Sequence, residues 1–157
     1  MRAAREEVMH ARMMNHQCVK HDVRIPHLDE SVLPKRTLCD IAIENAIEGC
    51  VHERYAALQA HHQAHHAQAE ELRTVFLRIA QEETEHTALA EDLHMWLMGQ
   101  LTQQERNRVQ ESRKDAQKTL EKALLYKDDD PEMMLYLGLP CARKSYELAQ
   151  KLHRIAV

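Results

Sequence analysis

The sequence contains few residues that would interrupt a helix. It has only three glycines and four prolines among 157 residues. Ala, Leu, Glu, Gln, Arg and Met are abundant, and these residues lose little conformational freedom when they enter a helix. No segment has the alternating pattern of a strand. The chain is therefore predicted to be all-α, and its length suits one domain, 1–157, with a substantial core.

Other absences exclude whole classes of protein. No apolar run approaches the roughly 20 residues that span a bilayer, and the charged start at Met1–Glu7 does not resemble a secretory signal. A net charge of −4 without a basic stripe argues against a nucleic-acid partner. The four cysteines include no CxxC pair, which argues against a zinc knuckle and fits reduced thiols. We expect a cytoplasmic protein with no membrane or nucleic-acid partner.

Capping and breaking residues divide the chain into helices. Thr37 with Asp40, and Thr102 with Glu105, have the capping-box pattern that begins a helix. A single helix from 37 to 100 would be about 95 Å long, which is too long for a domain of this size. A turn is therefore predicted between residues 67 and 71, where the apolar stripe changes phase. The predicted helices cover about 2–20, 37–67, 71–100, 102–127 and 140–155.

Two stretches lie outside this set of long helices. The stretch His21–Arg36 contains Pro26 and Pro34 and has no helical period, so it is predicted to be a loop. A short helix is predicted to begin at Asp130–Pro131 and to end at Gly138.

The motif Glu-Glu-x-x-His occurs twice, on two different predicted helices. It includes Glu7 with His10 in the first copy and Glu83 with His86 in the second. Residues three apart lie on one face of a helix, so each pair can hold one metal ion. One copy alone would be weak support for a metal site, because Glu and His are common on solvated helix faces.

The helical phase predicts which way the second pair faces. At about 100° per residue, Glu83 and His86 share the face of an apolar stripe, whereas Glu85 and Glu91 point outward. A carboxylate and an imidazole on a core face are costly unless they are paired or bound to a cation. A buried Glu–His pair without metal is the alternative interpretation. The predicted stripe consists of Leu72, Val75, Ile79, Leu93 and Leu97.

The preceding helix supplies a further candidate ligand, Glu53. It shares the face of Cys50 and Ala57, whereas Glu48 lies on the opposite side and is predicted to be a solvated charge. In an antiparallel hairpin, positions symmetric about the turn meet. The midpoint of Glu53 and Glu83 is residue 68, inside the predicted turn, so these two residues are expected to face each other. Glutamate and histidine ligands in a helical core suit iron or manganese.

These motifs resemble those of a known family. Glu48–Glu53 followed by Glu82–His86 is similar to the second half of a ferritin-like, rubrerythrin-type di-iron domain, and Glu6–Ala11 resembles the end of its first half. The resemblance covers about residues 3–100, and residues 101–157 form a helical extension. It implies a ferritin-like helical bundle with a long antiparallel hairpin and a site for two iron ions, with manganese as an alternative. The metal ligands that it implies are Glu7, His10, Glu53, Glu83 and His86.

The sequence departs from the family in two places. Rubrerythrins have a further ligand Glu one turn before the position of Glu53, where this chain has Cys50, and this puts rubrerythrin peroxidase chemistry in doubt. The family's first helix, with its own ligand Glu, is expected about thirty residues before Glu7, whereas this sequence starts at Met1. The five named residues therefore lack a sixth ligand. Three explanations stay open for this sixth ligand. A second chain supplies it in a homodimer, which we favour; the 102–127 helix supplies it from Glu105, Glu111 or Asp115; or the site is degenerate.

The function expected from these features is that of a di-iron oxidoreductase that reacts with O₂ or peroxide. The alternative is a non-catalytic helical interaction protein with a degenerate metal site. His61, His62, His65 and His66 form two i,i+4 pairs at the predicted hairpin tip, where we expect solvated side chains and only adventitious metal binding. The substrate and the electron donor do not follow from the sequence.

Overall fold

The computed structural model describes residues 2–24 and 35–154, and helices are the only regular elements in these ranges. The all-α prediction is therefore confirmed. The chain divides into two compact units, Met1–Lys35 and Arg36–Val157. No helix in the described ranges combines the length and apolar character that crossing a membrane requires. The helices are α1 (Arg2–Lys20), α2 (Leu38–Ile47), α3 (Arg54–His66), α4 (Glu70–Gln100), α5 (Gln103–Leu125), α6 (Pro131–Leu137) and α7 (Ala142–Gln150).

Among the described residues of the first unit, Arg2–Lys20 form α1, with the bounds that the sequence predicted. The helix ends in a turn in which Asp22 has a φ of 54° and the Val23 N–H donates to the Cys18 carbonyl at 2.9 Å. This left-handed residue allows the chain to satisfy a carbonyl at the helix end. Of the predicted loop at 21–36, residues 25–34 lie outside the described residues.

In the second unit, α2 and α3 are joined by a π-helical segment, Glu48–Glu53, into one uninterrupted helix from 38 to 66. The capping box at Thr37 and Asp40 begins this helix as predicted, with the Asp40 N–H 3.1 Å from the Thr37 hydroxyl. The predicted bounds of 37–67 are confirmed. The uniform α-helical phase assumed across it is wrong, because the wider π turns rotate the residues that follow.

α3 and α4 form the antiparallel hairpin that the sequence predicted, with a turn at 67–69. The Gln68 N–H donates to the Tyr136 carbonyl at 3.1 Å, and Arg73 donates to the Gln68 carbonyl at 2.8 Å. Gly138 has a φ of 66°, and a Cβ there would lie 2.3 Å from the backbone nitrogen of Ala67. The chain after α6 therefore closes against the hairpin turn, and only glycine fits at this point.

The helices after α4 cover the other side of α2 and α3. α5 packs against α2 and α7, and α7 packs against α3. α5 ends at Leu125, short of the predicted 127. α7 begins at Ala142, two residues after the predicted start at 140, and Cys141 is its N-cap residue. The buried core of this side includes Val51, Tyr55, Leu148, Ala149 and Leu152.

The apolar face of α4 differs in part from the predicted stripe. Leu93 is 38% exposed, whereas Phe76, Ala80 and Ala90 are buried. The buried face follows the contacts that α4 makes with the α2–α3 helix, and these are not visible in the period of α4 alone. Leu72 and Leu97 are buried as predicted.

Candidate metal centre

The strongest candidate ligands in the second unit are Glu83 and His86 on α4. Both are buried, with 7% and 6% of their surfaces exposed, and the Glu83 Oε2 lies 3.6 Å from the His86 Nδ1. Glu85, between them in sequence, is exposed. The prediction that this motif turns its Glu and His inward is confirmed.

The geometry of this pair suits a shared metal ion. Metal–ligand bonds from histidine nitrogen and carboxylate oxygen are about 2.0–2.2 Å long. The combined length of two such bonds is greater than the 3.6 Å between the Glu83 Oε2 and the His86 Nδ1, so one ion can bind both atoms. A bound cation would also compensate for the burial of a carboxylate, which is costly in a protein interior.

The π segment approaches α4 closely beside this pair. A Cβ added to Gly49 would lie 2.6 Å from the Ala90 Cβ, and the Asn45 side-chain amide donates to the Ala90 carbonyl at 2.9 Å. The Cys50 thiol also lies 3.7 Å from this carbonyl oxygen. Ala90 is one helical turn beyond His86. These contacts fix the π segment against the part of α4 that carries the candidate ligands.

Glu53 is the last residue of the π segment and is half-buried. Glu48, the first residue, is exposed and lies 3.0 Å from the His52 ring. The predicted contrast between a solvated Glu48 and a more enclosed Glu53 is therefore confirmed. Both the π segment and α3 pack against α4, as the hairpin requires. That Glu53 faces Glu83 stays a prediction.

Glu91 occupies a position that the sequence did not predict. It was expected to point outward, but its carboxylate is half-buried and accepts hydrogen bonds from Arg54 at 3.0 Å and from Arg113 at 2.5 Å. Glu91 thus links three helices, α3, α4 and α5. The period of α4 could not show this, because the partners come from helices far away in sequence.

Cys50 behaves as a buried thiol and not as a reactive one. Burial raises its pKa to about 11; Arg113 lowers the pKa, and Glu91 raises it. A thiol with this pKa is protonated at neutral pH and is a poor nucleophile. Cys50 is therefore best described as a small residue of the core.

The carboxylates of α5 do not resemble a ligand set. Glu105 caps the helix through Thr102, and its hydrogen bonds with the Thr102 side chain and backbone lower its pKa. Glu111 and Asp115 are exposed, and Asp115 lies 3.7 Å from Lys118. Glu105 is therefore already engaged in the cap, and Glu111 and Asp115 face solvent. The source of a sixth ligand, in α5 or in a second chain, stays a prediction.

The first unit repeats the spacing of the α4 pair. On α1, the Glu7 Oε2 lies 3.8 Å from the His10 Nδ1. Each copy of the motif therefore places its carboxylate beside its imidazole within one helix, as the i,i+3 spacing requires. That the two pairs serve one dinuclear site stays a prediction of the family resemblance. Neither a family model, nor a curated protein, nor a solved structure matches this chain.

Proposed function

We propose that this chain is a metal-binding protein of the ferritin-like type, in which Glu53, Glu83 and His86 are the ligands of the second unit. Glu7 and His10 are the ligands that the resemblance adds from α1. The observation that carries the proposal is the buried Glu83–His86 pair, whose oxygen and nitrogen atoms are 3.6 Å apart. The π segment beside it supports the same conclusion, because π-helical turns are frequent at functional sites.

The donor set favours iron, with two ions per site. It offers carboxylate oxygens and imidazole nitrogens from helices in a core, the combination used by carboxylate-bridged di-iron and di-manganese sites. Zinc–thiolate sites use two or more cysteines, and the buried thiol of Cys50 does not supply such a set by itself. Manganese fits the same donors and is the second choice.

The reaction we propose is an oxidation that uses O₂ or peroxide. Bound iron would supply the redox chemistry, because it can change between the ferrous and ferric states. The protein's own contribution is to hold the ligands in place: α4 orients Glu83 and His86 three residues apart, and buried Ala80 and Ala90 line the same helix on either side of them. The carboxylates would balance the charge of bound cations in this enclosed position.

A second function is favoured by a different observation. α4 exposes several large apolar side chains, including Leu89 at 57% and Trp96 at 58%. Exposed apolar residues on one helix are typical of surfaces that bind another protein. A non-catalytic helical interaction protein with a degenerate metal site would use this surface and would need no metal.

Metal content distinguishes the two functions. Untagged protein should be loaded anaerobically with ferrous iron, desalted, analysed for iron and then exposed to air. We expect about two irons per site, an absorption band on oxidation and consumption of O₂. The Glu83→Ala/His86→Ala variant should lose the iron, whereas Glu85→Ala, an exposed control on the same helix, should keep it. Iron-free wild-type protein, or equal iron in all three proteins, would overturn the proposal.

A further inference from the structure

The π segment, Glu48–Glu53, is held to α4 from both of its ends. π-helical turns are rare and occur mostly as single turns inside α-helices. Before the segment, the Asn45 side-chain amide donates to the Ala90 carbonyl at 2.9 Å. Directly after the segment, the Arg54 Nη1 donates to the Glu91 Oε1 at 3.0 Å. Two consecutive residues of α4 therefore hold the chain on either side of the π turns.

Glu91 is itself fixed by a third helix. The Arg113 guanidinium on α5 donates to both carboxylate oxygens of Glu91, at 2.5 Å to Oε1 and at 3.2 Å to Oε2. Paired hydrogen bonds between a guanidinium and a carboxylate define the geometry of the pair as well as strengthening it. The carboxylate therefore cannot turn away from Arg54 without also losing its bonds to Arg113.

This ion-pair cluster is partly withdrawn from water. The Arg54 side chain is 12% exposed and that of Glu91 is 30% exposed. Fully exposed ion pairs contribute little, whereas removing one partner of an enclosed pair leaves a charge without compensation. Glu91 also lies beside the π segment itself, since burial raises the pKa of Cys50 and the Glu91 carboxylate raises it further. Glu91 thus acts both on the segment and on the residue that follows it.

The contact at Arg54 also fixes the direction of Glu53. Glu53 has φ and ψ of −62° and −38°, and Arg54 has −61° and −40°, so both have an α-helical backbone. Consecutive residues in this conformation project about 100° apart around the helix axis. A rotation of the helix that turned Glu53 to a different side would therefore pull Arg54 away from Glu91.

We propose that Glu91 is a positioning residue, which holds Glu53 towards the proposed metal centre through Arg54. The inference rests on the proposed function, in which Glu53 is a metal ligand. The two oxygens of Glu91 are engaged by arginines, so we assign Glu91 no place among the ligands. Its effect on metal affinity should therefore depend on the presence of Glu53.

A double-mutant cycle tests this dependence, with ferrous iron affinity of the untagged full-length chain measured anaerobically. Glu91→Gln keeps the shape of the side chain, removes its charge and should weaken iron binding about tenfold or more, as loss of support for a ligand does. In the Glu53→Ala background, the same substitution should have no further effect. Asp92→Asn neutralises an exposed carboxylate on the next residue of α4 and should bind iron as the wild type does.

Two results of the cycle would overturn the inference while leaving the proposed function in place. These are unchanged affinity in Glu91→Gln, and equal weakening by Glu91→Gln with and without Glu53. A wild-type protein that binds no iron would instead overturn the proposed function, and this inference with it.

Amide hydrogen exchange of the metal-free protein tests the contact without iron. It also decides the matter if Glu53→Ala binds too little iron to measure. Exchange of the amides of residues 48–54 should be faster in Glu91→Gln than in the wild type or in Asp92→Asn, because this stretch loses its hold on α4. Unchanged exchange at 48–54 would overturn the inference. Faster exchange throughout the protein would overturn it too, because Glu91 would then serve general stability and not the position of Glu53.

Discussion

Gly49 and Ala90 are in contact where the π segment crosses α4, and a Cβ added to Gly49 would lie 2.6 Å from the Ala90 Cβ. Real Cβ atoms do not approach this closely, so the two helices can reach their present separation only with glycine at 49. The contact lies one helical turn from His86 on α4. The position of the π segment relative to the candidate ligands therefore depends on residue 49 being a glycine, which has no side chain.

Gly49→Ala is expected to destabilise the protein by about 1–3 kcal/mol, the usual cost of inserting a methyl group into a packed interior. The substitution must push the π segment away from Ala90. It should also reduce metal binding, because Glu53 moves with the segment. Denaturant unfolding and metal analysis of the same sample measure the two effects.

Gly99→Ala is the matched control for this substitution. A Cβ at Gly99 meets nothing within 4 Å, and the residue lies in the last turn of α4. Alanine is a better helix former than glycine by about 1 kcal/mol in a helix interior, so stability should be unchanged or slightly raised. A comparable loss in both variants would mean that packing at Ala90 is not the cause.

From the raised pKa of the Cys50 thiol we predict a loss of stability at alkaline pH. Its folded pKa of about 11 is above the ordinary value of 9.0. The stabilisation from the protonated thiol is therefore complete below pH 9 and is lost as the pH rises towards 11, because the unfolded chain loses this proton more readily. Cys50→Ala should show a shallower decline in stability over this range. Parallel declines in both proteins would show that other groups control the alkaline transition.

Metal removal should lower the melting temperature. Ions that bind only the folded state stabilise it by RT ln(1 + [L]/Kd), about 2.7 kcal/mol at a hundredfold excess over the dissociation constant. Iron-loaded and chelated wild-type protein should therefore differ in a calorimetric melt, and Glu83→Ala/His86→Ala should show no difference. Identical melts for loaded and chelated wild type would exclude a buried metal site.

Features that depend on local sequence were predictable from the chain alone. Thr37 and Thr102 begin their helices because each hydroxyl accepts from the backbone three residues on, a contact that the residue types specify. The inward direction of Glu83 and His86 followed from the period of α4, since only a few turns separate them from the apolar residues that define the face.

Features that depend on distant contacts were not predictable in the same way. The π segment leaves no periodic signature in six residues, and its close packing needs Ala90, forty-one positions after Gly49. Glu91 shows the same limit. Its arginine partners are on α3 and α5, so its helix phase alone indicated a solvated residue.

The assembly state is a further prediction. The five ligands that the resemblance names leave one position to fill. Of the α5 candidates for it, Glu111 and Asp115 are exposed and Glu105 is used in a cap. A second copy of the chain can supply the missing group across a symmetric interface. We expect a homodimer by light scattering at micromolar concentration. A monomer that retains two metal ions would contradict this and would return attention to α5.

Glu53 and Glu48 offer the most direct test of the ligand assignment, because they are the two ends of one π segment. Glu48 is exposed and lies 3.0 Å from His52, whereas Glu53 is half-buried on a segment that packs against α4. Glu53→Ala should remove a ligand and sharply lower the iron bound per chain. Glu48→Ala should leave it unchanged, since a solvated ion pair contributes little. Equal losses, or a larger loss from Glu48→Ala, would show that the π segment presents the other carboxylate to the metal.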